Sequence, residues 1–329
     1  MVREGINLCL SGFKKRTQVV PLMSSNLSSF LYPNFKIMKS FNGNRLKIAI
    51  QKSGRLTEQS IDLLKRSGLE FDAYGKRLFS TCRNFNLEIL FIRDDDIPEY
   101  VQDGVCDLGI VGTNVVKEKN AEVEVVEPLG FGMCRVCLAV PKNSKIGKIK
   151  NLEGRSIATS YPNVLKRFLL ENRISAEVIE VNGAVEITPS LNIAEAICDV
   201  VSTGTTLRTN GLKVLETILE SEALLIANAE SVKKQVLKKD LERLLMRIQG
   251  TLTAGRNRYV MMNAPEKALK KIQKILPGLS SPTVMPLAEE GMIAIHTVVP
   301  EDTFWEMMER LKKAGASGIL VVPIEKMIL

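Results

Sequence analysis

From Arg45 onward, short apolar runs alternate with segments whose apolar positions recur at helical spacing. RLKIAI (45–50) predicts a buried strand, QKSGRL a turn, and TEQSIDLLKRSGL (57–69) an amphipathic helix. That helix sets Ile61, Leu63 and Leu64 on one side, with Thr57 as its cap and Gly68 as its stop. LEILFIR (87–93) predicts a second strand and DDDIPEYVQDG (94–104) a short helix capped by Asp96. CDLGIVG (106–112) reads as a strand ending in glycine, and TNVVKEK begins another helix. Strands alternating with helices in this way predict a parallel α/β sheet.

A second α/β lobe opens with CRVCLAVP (134–141) and RSIATS (155–160), carries a helix over YPNVLKRFLLENR, and draws further strands from AEVIEVNG and AEAICDVVS. The chain is expected to return to the first lobe near 222–229. Two such lobes with a cleft between them would resemble the periplasmic-binding-protein architecture, with ligands outside the carboxyl ends of the strands. A long helical stretch over 230–255 then leads into a third unit. Its order is strand, helix, strand, strand, helix, strand, which is the ferredoxin-like (ACT-like) βαββαβ order. Phe304, Met307, Met308 and Leu311 follow helical spacing there and read as core. The expected division is 44–135 with 229–256 as the first lobe, 136–228 as the second, and 257–329 as a regulatory unit.

Residues 1–43 show no such pattern. They read as an unstructured extension without catalytic part, and Met38, just before the first strand, is an alternative start. Six basic residues against Glu4 place +5 of the net charge of +8 in this segment, leaving +3 for the rest. A weak positive excess on a large body suits a phosphorylated small substrate at least as well as a polynucleotide. With aromatic content of 5% and no basic stripe interleaved with rings, the composition argues against nucleic acid. No apolar run is long enough for a transmembrane helix. Cys134 and Cys137 form a C-x-x-C, but three residues apart on a strand they point to opposite faces, no second pair follows, and His296 is the only histidine. Reduced, partly buried thiols in a cytoplasmic protein account for the six cysteines better than zinc or disulfides.

The densest chemistry lies in DVVSTGTTLRTNGL (199–212). Ser202, Thr203, Gly204, Thr205 and Thr206 can aim backbone N–H groups and hydroxyls at one phosphate, aided by the dipole of a helix starting near Thr206. The Gly-Lys-Ser/Thr ending of nucleotide hydrolases is absent. An ordinary polar strand–helix connection has the same composition. Asp199 just before the loop and Glu186 in NGAVEITP would accept hydrogen bonds from vicinal hydroxyls, so the set suits a sugar phosphate.

Together with IAIQKSGRL (48–56), RDDDIP (93–98), DGVCDLGIVG (103–112), RSIATSYPNVLKR (155–167) and GASGILVVPIEKM (315–327), these stretches resemble the long, single-chain form of the ATP phosphoribosyltransferase family. The resemblance covers Arg45 to Leu329. It implies that Ser202 to Thr206 hold the 5′-phosphate of phosphoribosyl pyrophosphate and that Asp199 and Glu186 bind its ribose hydroxyls. It implies that KSGR (52–55) faces nucleotide phosphates, with Ser160 and Tyr161 lining the same cleft. The implied reaction joins N1 of the adenine of ATP to C1 of the ribose and expels pyrophosphate. Adenine is itself the nucleophile, so no serine–histidine pair is needed, which agrees with a chain almost without histidine. Lys52, Arg55 and Arg93 are the candidate cations for the departing pyrophosphate, although Arg93 could equally pair with its own aspartate run. Mg2+ is expected on substrate phosphate oxygens and waters, with no protein ligand assigned. The resemblance further implies a homo-oligomer, from dimer to hexamer, inhibited by histidine bound in the 257–329 unit. It also implies independence from the separate subunit, similar to a histidyl-tRNA synthetase, that the short form requires. A non-catalytic two-lobed sensor is the competing reading, but a sensor needs one ligand and not both a ribose-phosphate loop and a basic turn.

Overall fold

The computed structural model describes residues 45–73, 78–233, 235–276 and 281–329. The N-terminal extension therefore lies outside the described residues. The first lobe is built from β1 (Leu46–Gln51), α1 (Thr57–Arg66), β2 (Phe79–Thr81), β3 (Leu87–Ile92), α2 (Ile97–Gln102), β4 (Leu108–Gly112), α3 (Thr113–Lys119) and β5 (Glu124–Pro128). The second holds β6 (Cys134–Pro141), β7 (Ser156–Thr159), α4 (Pro162–Glu171), β8 (Glu177–Glu180), β9 (Ala196–Val201), α5 (Thr205–Thr209) and β10 (Leu212–Ser221). The chain re-enters the first lobe as β11 (Ala223–Ala227), followed by α6 (Ala229–Lys233) and α7 (Gln235–Gly255).

The first sheet runs β2-β3-β1-β4-β11-β5 and the second β10-β6-β9-β7-β8. In the first, Leu46, Ile48 and Ile50 pack with Leu63 and Leu64 of α1 and Leu241, Leu244 and Ile248 of α7. The other face of that sheet joins Ala49 and Leu90 to Ile97, Val101, Val115 and Ile226. Burial on both faces explains why these strands read as continuous apolar runs.

The sheets are mixed where wholly parallel sheets were expected. β3 and β4 run parallel to β1, but β11 is antiparallel to both β4 and β5. In the second sheet β6 is antiparallel to β9 and β10, whereas β7 is parallel to β8 and β9. β2 is also antiparallel to β3. For β6 and β11 the reason is the double crossing between lobes: the β5-to-β6 passage and the β10-to-β11 passage run side by side in opposite senses. Phe131 O accepts the Ala223 N–H at 2.9 Å, and Ala223 O accepts the Leu129 N–H at 2.9 Å. The boundary at 228 is also corrected, because Ala223–Ala227 pairs within the first sheet; the second lobe's strands begin at Cys134 and end at Ser221.

Two expected caps are not formed. The N–H groups at the start of α1 go to Gln51 Oε1, from Leu56 at 2.9 Å, and to Gly54 O, from Thr57 at 3.3 Å. With those donors satisfied by the preceding turn, Thr57 Oγ1 is left buried without a partner. Asp96 precedes α2 but its side chain caps nothing, since a 3-10 turn over Asp94–Asp96 runs straight into the helix. Gly68 does end α1, its N–H reaching Lys65 O at 2.9 Å.

Packing of α2 on β4 depends on a missing side chain at Gly109, where a Cβ would lie 2.7 Å from Ile97 Cγ2 and 2.9 Å from Val101 Cγ2. Gly109→Ala is expected to destabilise the protein by about 1–3 kcal/mol, read as a lower denaturant midpoint.

The third unit contains β12 (Asn257–Pro265), α8 (Leu269–Gln273), β13 (Thr283–Pro286), β14 (Met292–Pro300), α9 (Glu301–Lys313) and β15 (Ser317–Pro323). Its sheet order is β13-β14-β12-β15, all pairs antiparallel, which is the ferredoxin-like arrangement. Phe304, Met307 and Leu311 of α9 are buried in its core with Met308 packed against them. The sheet's other side carries Tyr259, whose hydroxyl lies 3.0 Å from His296 Nδ1, and the exposed Met285, Leu320 and Val322.

Candidate functional site

The carboxyl ends of β1 and β4 in one lobe face β9 and the start of α4 in the other. Gln51, Arg55, Leu56, Asp94, Gly112, Asn114 and Val115 from the first lobe, with Tyr161 and Val200 from the second, enclose a pocket of about 160 Å³. A second pocket of about 220 Å³ is lined by Glu186, Asp199, Val200, Val201, Ser202, Thr203, Gly204, Thr206 and Leu207. Val200 lines both, so the two hollows are neighbours in one cleft.

The 202–206 turn follows β9 directly and leads into α5, which begins at Thr205, one residue earlier than expected. Gly204 sits at φ +71°, a left-handed conformation that side chains disfavour. The turn is tied internally: Thr203 Oγ1 and Thr205 Oγ1 are 3.1 Å apart. Arg208 clamps it from one helical turn ahead, donating to Thr203 O at 3.3 Å and to Thr205 Oγ1 at 3.1 Å. This arginine supplies a cation to a loop that has no lysine of its own.

Asp199 Oδ1 accepts the Ser160 hydroxyl at 3.0 Å and the Val200 N–H at 2.8 Å. Burial pushes its carboxyl above the usual carboxylate range; those two donors pull it back in part, and the charge of Glu186 pushes it up further. Burial likewise raises Asp94, helped by Asp95, against donors that include the Gln51 side chain. Tyr161 is held well above the ordinary phenol range, first by burial, against a lowering bond from Asn114, and then by the carboxylates of Asp199, Asp94 and Asp95. It therefore stays protonated and can act only as a neutral hydroxyl at working pH.

The structure thus brings Glu186, Asp199, Ser202, Thr203, Gly204 and Thr206 to one pocket and Arg55 and Tyr161 to its neighbour, with Ser160 attached through Asp199. Lys52 and Arg93 are exposed and line neither hollow, and no ion pair joins Arg93 to Asp94, Asp95 or Asp96. Among the described residues, no group of three or more His, Cys, Asp or Glu is placed to hold a metal, and Cys134 and Cys137 are buried free thiols. No helix among them is long and apolar enough to cross a membrane. A larger cavity of about 460 Å³ lies between α1, residues 129–131 and α7, and is lined by none of the candidate site residues.

Sequence reasoning missed Gln51, Asp94, Asn114 and Arg208. It also missed Glu118 of α3, whose carboxylate accepts the Asn163 and Val164 N–H groups at 2.9 Å each and so caps α4 from the opposite lobe. The one available signal was the tyrosine before Pro162. A helix starting after Tyr161 has no capping side chain of its own and must find an acceptor elsewhere.

Comparison with known proteins bears on this geometry. The chain matches the family described as ATP phosphoribosyltransferase over residues 93–250, and that described as HisG, C-terminal domain, over residues 254–326. It is 49% identical over 284 residues to the ATP phosphoribosyltransferase of Cytophaga hutchinsonii, covering 86% of this chain and 98% of that one. Identity to the ATP phosphoribosyltransferase of Phocaeicola vulgatus is 47%, covering 86% of this chain and 100% of that one. Among solved structures, it is similar to the ATP phosphoribosyl transferase (HisG:HisZ) complex from Thermotoga maritima, with TM-score 0.54 and 29% identity over 62% of this chain and 98% of that one. With matches running through the lobes and on into the third unit, the chain belongs to the ATP phosphoribosyltransferase family in its long form, whose reaction is the first step of histidine biosynthesis.

Proposed function

We propose that the Glu186–Asp199–(202–206) pocket holds the phosphoribosyl group of phosphoribosyl pyrophosphate and that the adjoining Arg55 pocket receives the groups that react with it. The observation that carries this reading is the convergence of two carboxylates and a hydroxyl- and glycine-rich turn on one hollow of about 220 Å³. Backbone N–H groups and hydroxyls of Ser202, Thr203, Gly204, Thr205 and Thr206 suit the 5′-phosphate. Asp199 and Glu186 suit the ribose hydroxyls, Asp199 having one oxygen left over from its bonds to Ser160 and Val200. When N1 of adenine attacks C1, the bond from C1 to pyrophosphate breaks, and negative charge gathers on the departing oxygen. Arg55 is the cation lining the cleft pocket and the best placed to stabilise it. Lys52 and Arg93 are placed to meet phosphates at the rim at most.

The donor set fits a magnesium ion that arrives on substrate phosphates better than a resident one, because no cluster of three acidic or nitrogen ligands exists among the described residues. Such an ion would supply charge neutralisation of pyrophosphate; alignment of the two substrates falls to the chain itself. The third unit is read as the histidine-binding regulatory part, making a separate regulatory subunit unnecessary. The apolar side of its sheet, with Met285, Leu320 and Val322 exposed, favours association of several copies into a dimer or hexamer. A cytoplasmic location agrees with the five cysteines among the described residues, which are buried free thiols.

The test is pyrophosphate release from ATP and phosphoribosyl pyrophosphate. Arg55→Ala is expected to lower kcat on the order of a hundredfold while changing affinity for phosphoribosyl pyrophosphate far less. An unchanged kcat would remove Arg55 from the reaction.

A further inference from the structure

The hinge between the lobes carries a chain of hydrogen bonds that ends in the cleft. Ser221 is the last residue of β10, where the chain leaves the second lobe. Its Oγ accepts the backbone N–H of Asn114 at 3.1 Å and donates to Asn114 Oδ1 at 2.8 Å. Asn114 Nδ2 in turn donates to the Tyr161 hydroxyl oxygen at 2.8 Å. Ser221 is 5% exposed and Asn114 3%, so neither can turn to solvent for another partner.

The polarity of this chain follows from the donor inventory. The serine oxygen is already an acceptor for a backbone N–H, which cannot reverse. Its own proton then requires an acceptor, and the carboxamide oxygen is the one it meets. That leaves the carboxamide NH2 facing Tyr161. Gly112 leaves the room this carboxamide needs, since a Cβ there would lie 2.3 Å from Asn114 Oδ1. A phenol whose oxygen is taken up by an N–H donor has one proton left, and Tyr161 lines the cleft pocket beside Arg55 and Asp94.

We propose that Ser221 and Asn114 are positioning residues for the transfer reaction, fixing the Tyr161 hydroxyl so that its proton points into the cleft as a donor to an acceptor atom of the bound substrates. This rests on the placement of Tyr161 in the site proposed above. The three residues come from the hinge, the first lobe and the second lobe, so the donor is oriented only while the lobes are juxtaposed. Orientation of the donor and closure of the cleft are one event.

Asn114→Asp reverses the polarity with almost no change of shape. It places a second acceptor opposite Tyr161, which then turns its proton back to residue 114. The expected result is a kcat lower on the order of a hundredfold, with KM for phosphoribosyl pyrophosphate within about threefold of wild type and a cooperative melting transition. Tyr161→Phe should lose a similar factor. The double variant should be no slower than the slower single one, because both changes remove the same proton from the cleft. A folded Asn114→Asp enzyme with wild-type kcat, or losses that multiply in the double variant, would overturn the relay. If Asn114→Asp does not fold, Ser221→Ala answers instead. A kcat loss present with Tyr161 and absent in the Tyr161→Phe background supports the proposal, and an equal loss in both backgrounds overturns it. An unimpaired Tyr161→Phe enzyme would overturn the relay and the placement of Tyr161 together. An impaired Tyr161→Phe with an unimpaired Asn114→Asp overturns the relay alone.

Discussion

Asp199→Asn is expected to weaken binding of phosphoribosyl pyrophosphate roughly ten- to a hundredfold while leaving the protein at least as stable as before. The loss of affinity follows from replacing a charged acceptor of sugar hydroxyls with a neutral one, in a pocket that already buries it. The retained stability follows from the direction of its titration. Burial and Glu186 hold the Asp199 carboxyl above its ordinary value, so folding favours the protonated form. A carboxyl raised in this way contributes stability that is complete below its unfolded value and lost as pH climbs through its folded value. At neutral pH the ionised group is therefore held against its preference, and asparagine removes that cost while keeping an oxygen for Ser160 and Val200. Calorimetric titration with phosphoribosyl pyrophosphate and a thermal melt measure the two halves. The acid limb of kcat/KM in the wild type should accordingly lie above the usual aspartate range of about 4. Wild-type affinity in Asp199→Asn would exclude the residue from the sugar site, and a large drop in melting temperature would assign it to the fold instead.

Ending the chain before residue 257 is expected to abolish inhibition by histidine while pyrophosphate release continues. The third unit is joined to the catalytic lobes at few points. Glu301 N–H donates to Arg256 O at 3.0 Å, and Met327 N–H donates to Gly250 O at 2.9 Å. Ile328 and Leu329 line the hollow that this tail forms against α7. The cleft takes neither its lining nor the residues that brace it, Arg208 and Ser221, from the third unit, so its geometry does not require that unit. Activity measured at rising histidine in the full and shortened chains decides the matter. Undiminished inhibition in the shortened chain would place the effector in the lobes.

Local chemistry made much of this site readable. Gly204 between threonines announced a turn that needs positive φ, and Asp199 just before that turn and Glu186 in NGAVEITP stood out as carboxylates suited to sugar hydroxyls. The strand and helix order of the third unit was equally plain, because its apolar positions switch between periods of two and of three to four. What could not be read depends on partners far apart in the chain. Asn114 and Tyr161 are 47 residues apart and Asn114 and Ser221 are 107 apart, and no periodicity relates them. The antiparallel setting of β11 came from the double crossing between lobes, a property of topology that alternating strands and helices do not reveal. Thr57 and Asp96 misled for a related reason. Each has the right chemistry for a cap, but Gln51 and a 3-10 turn had already dealt with the N–H groups they would have served.

A crystal structure of the complex with phosphoribosyl pyrophosphate tests the central assignment most directly. The phosphate monoester should rest on the backbone N–H groups between Thr203 and Thr206, with both ribose hydroxyls bonded to Asp199 and Glu186. A monoester found against Arg55, with the 202–206 turn empty, would contradict it.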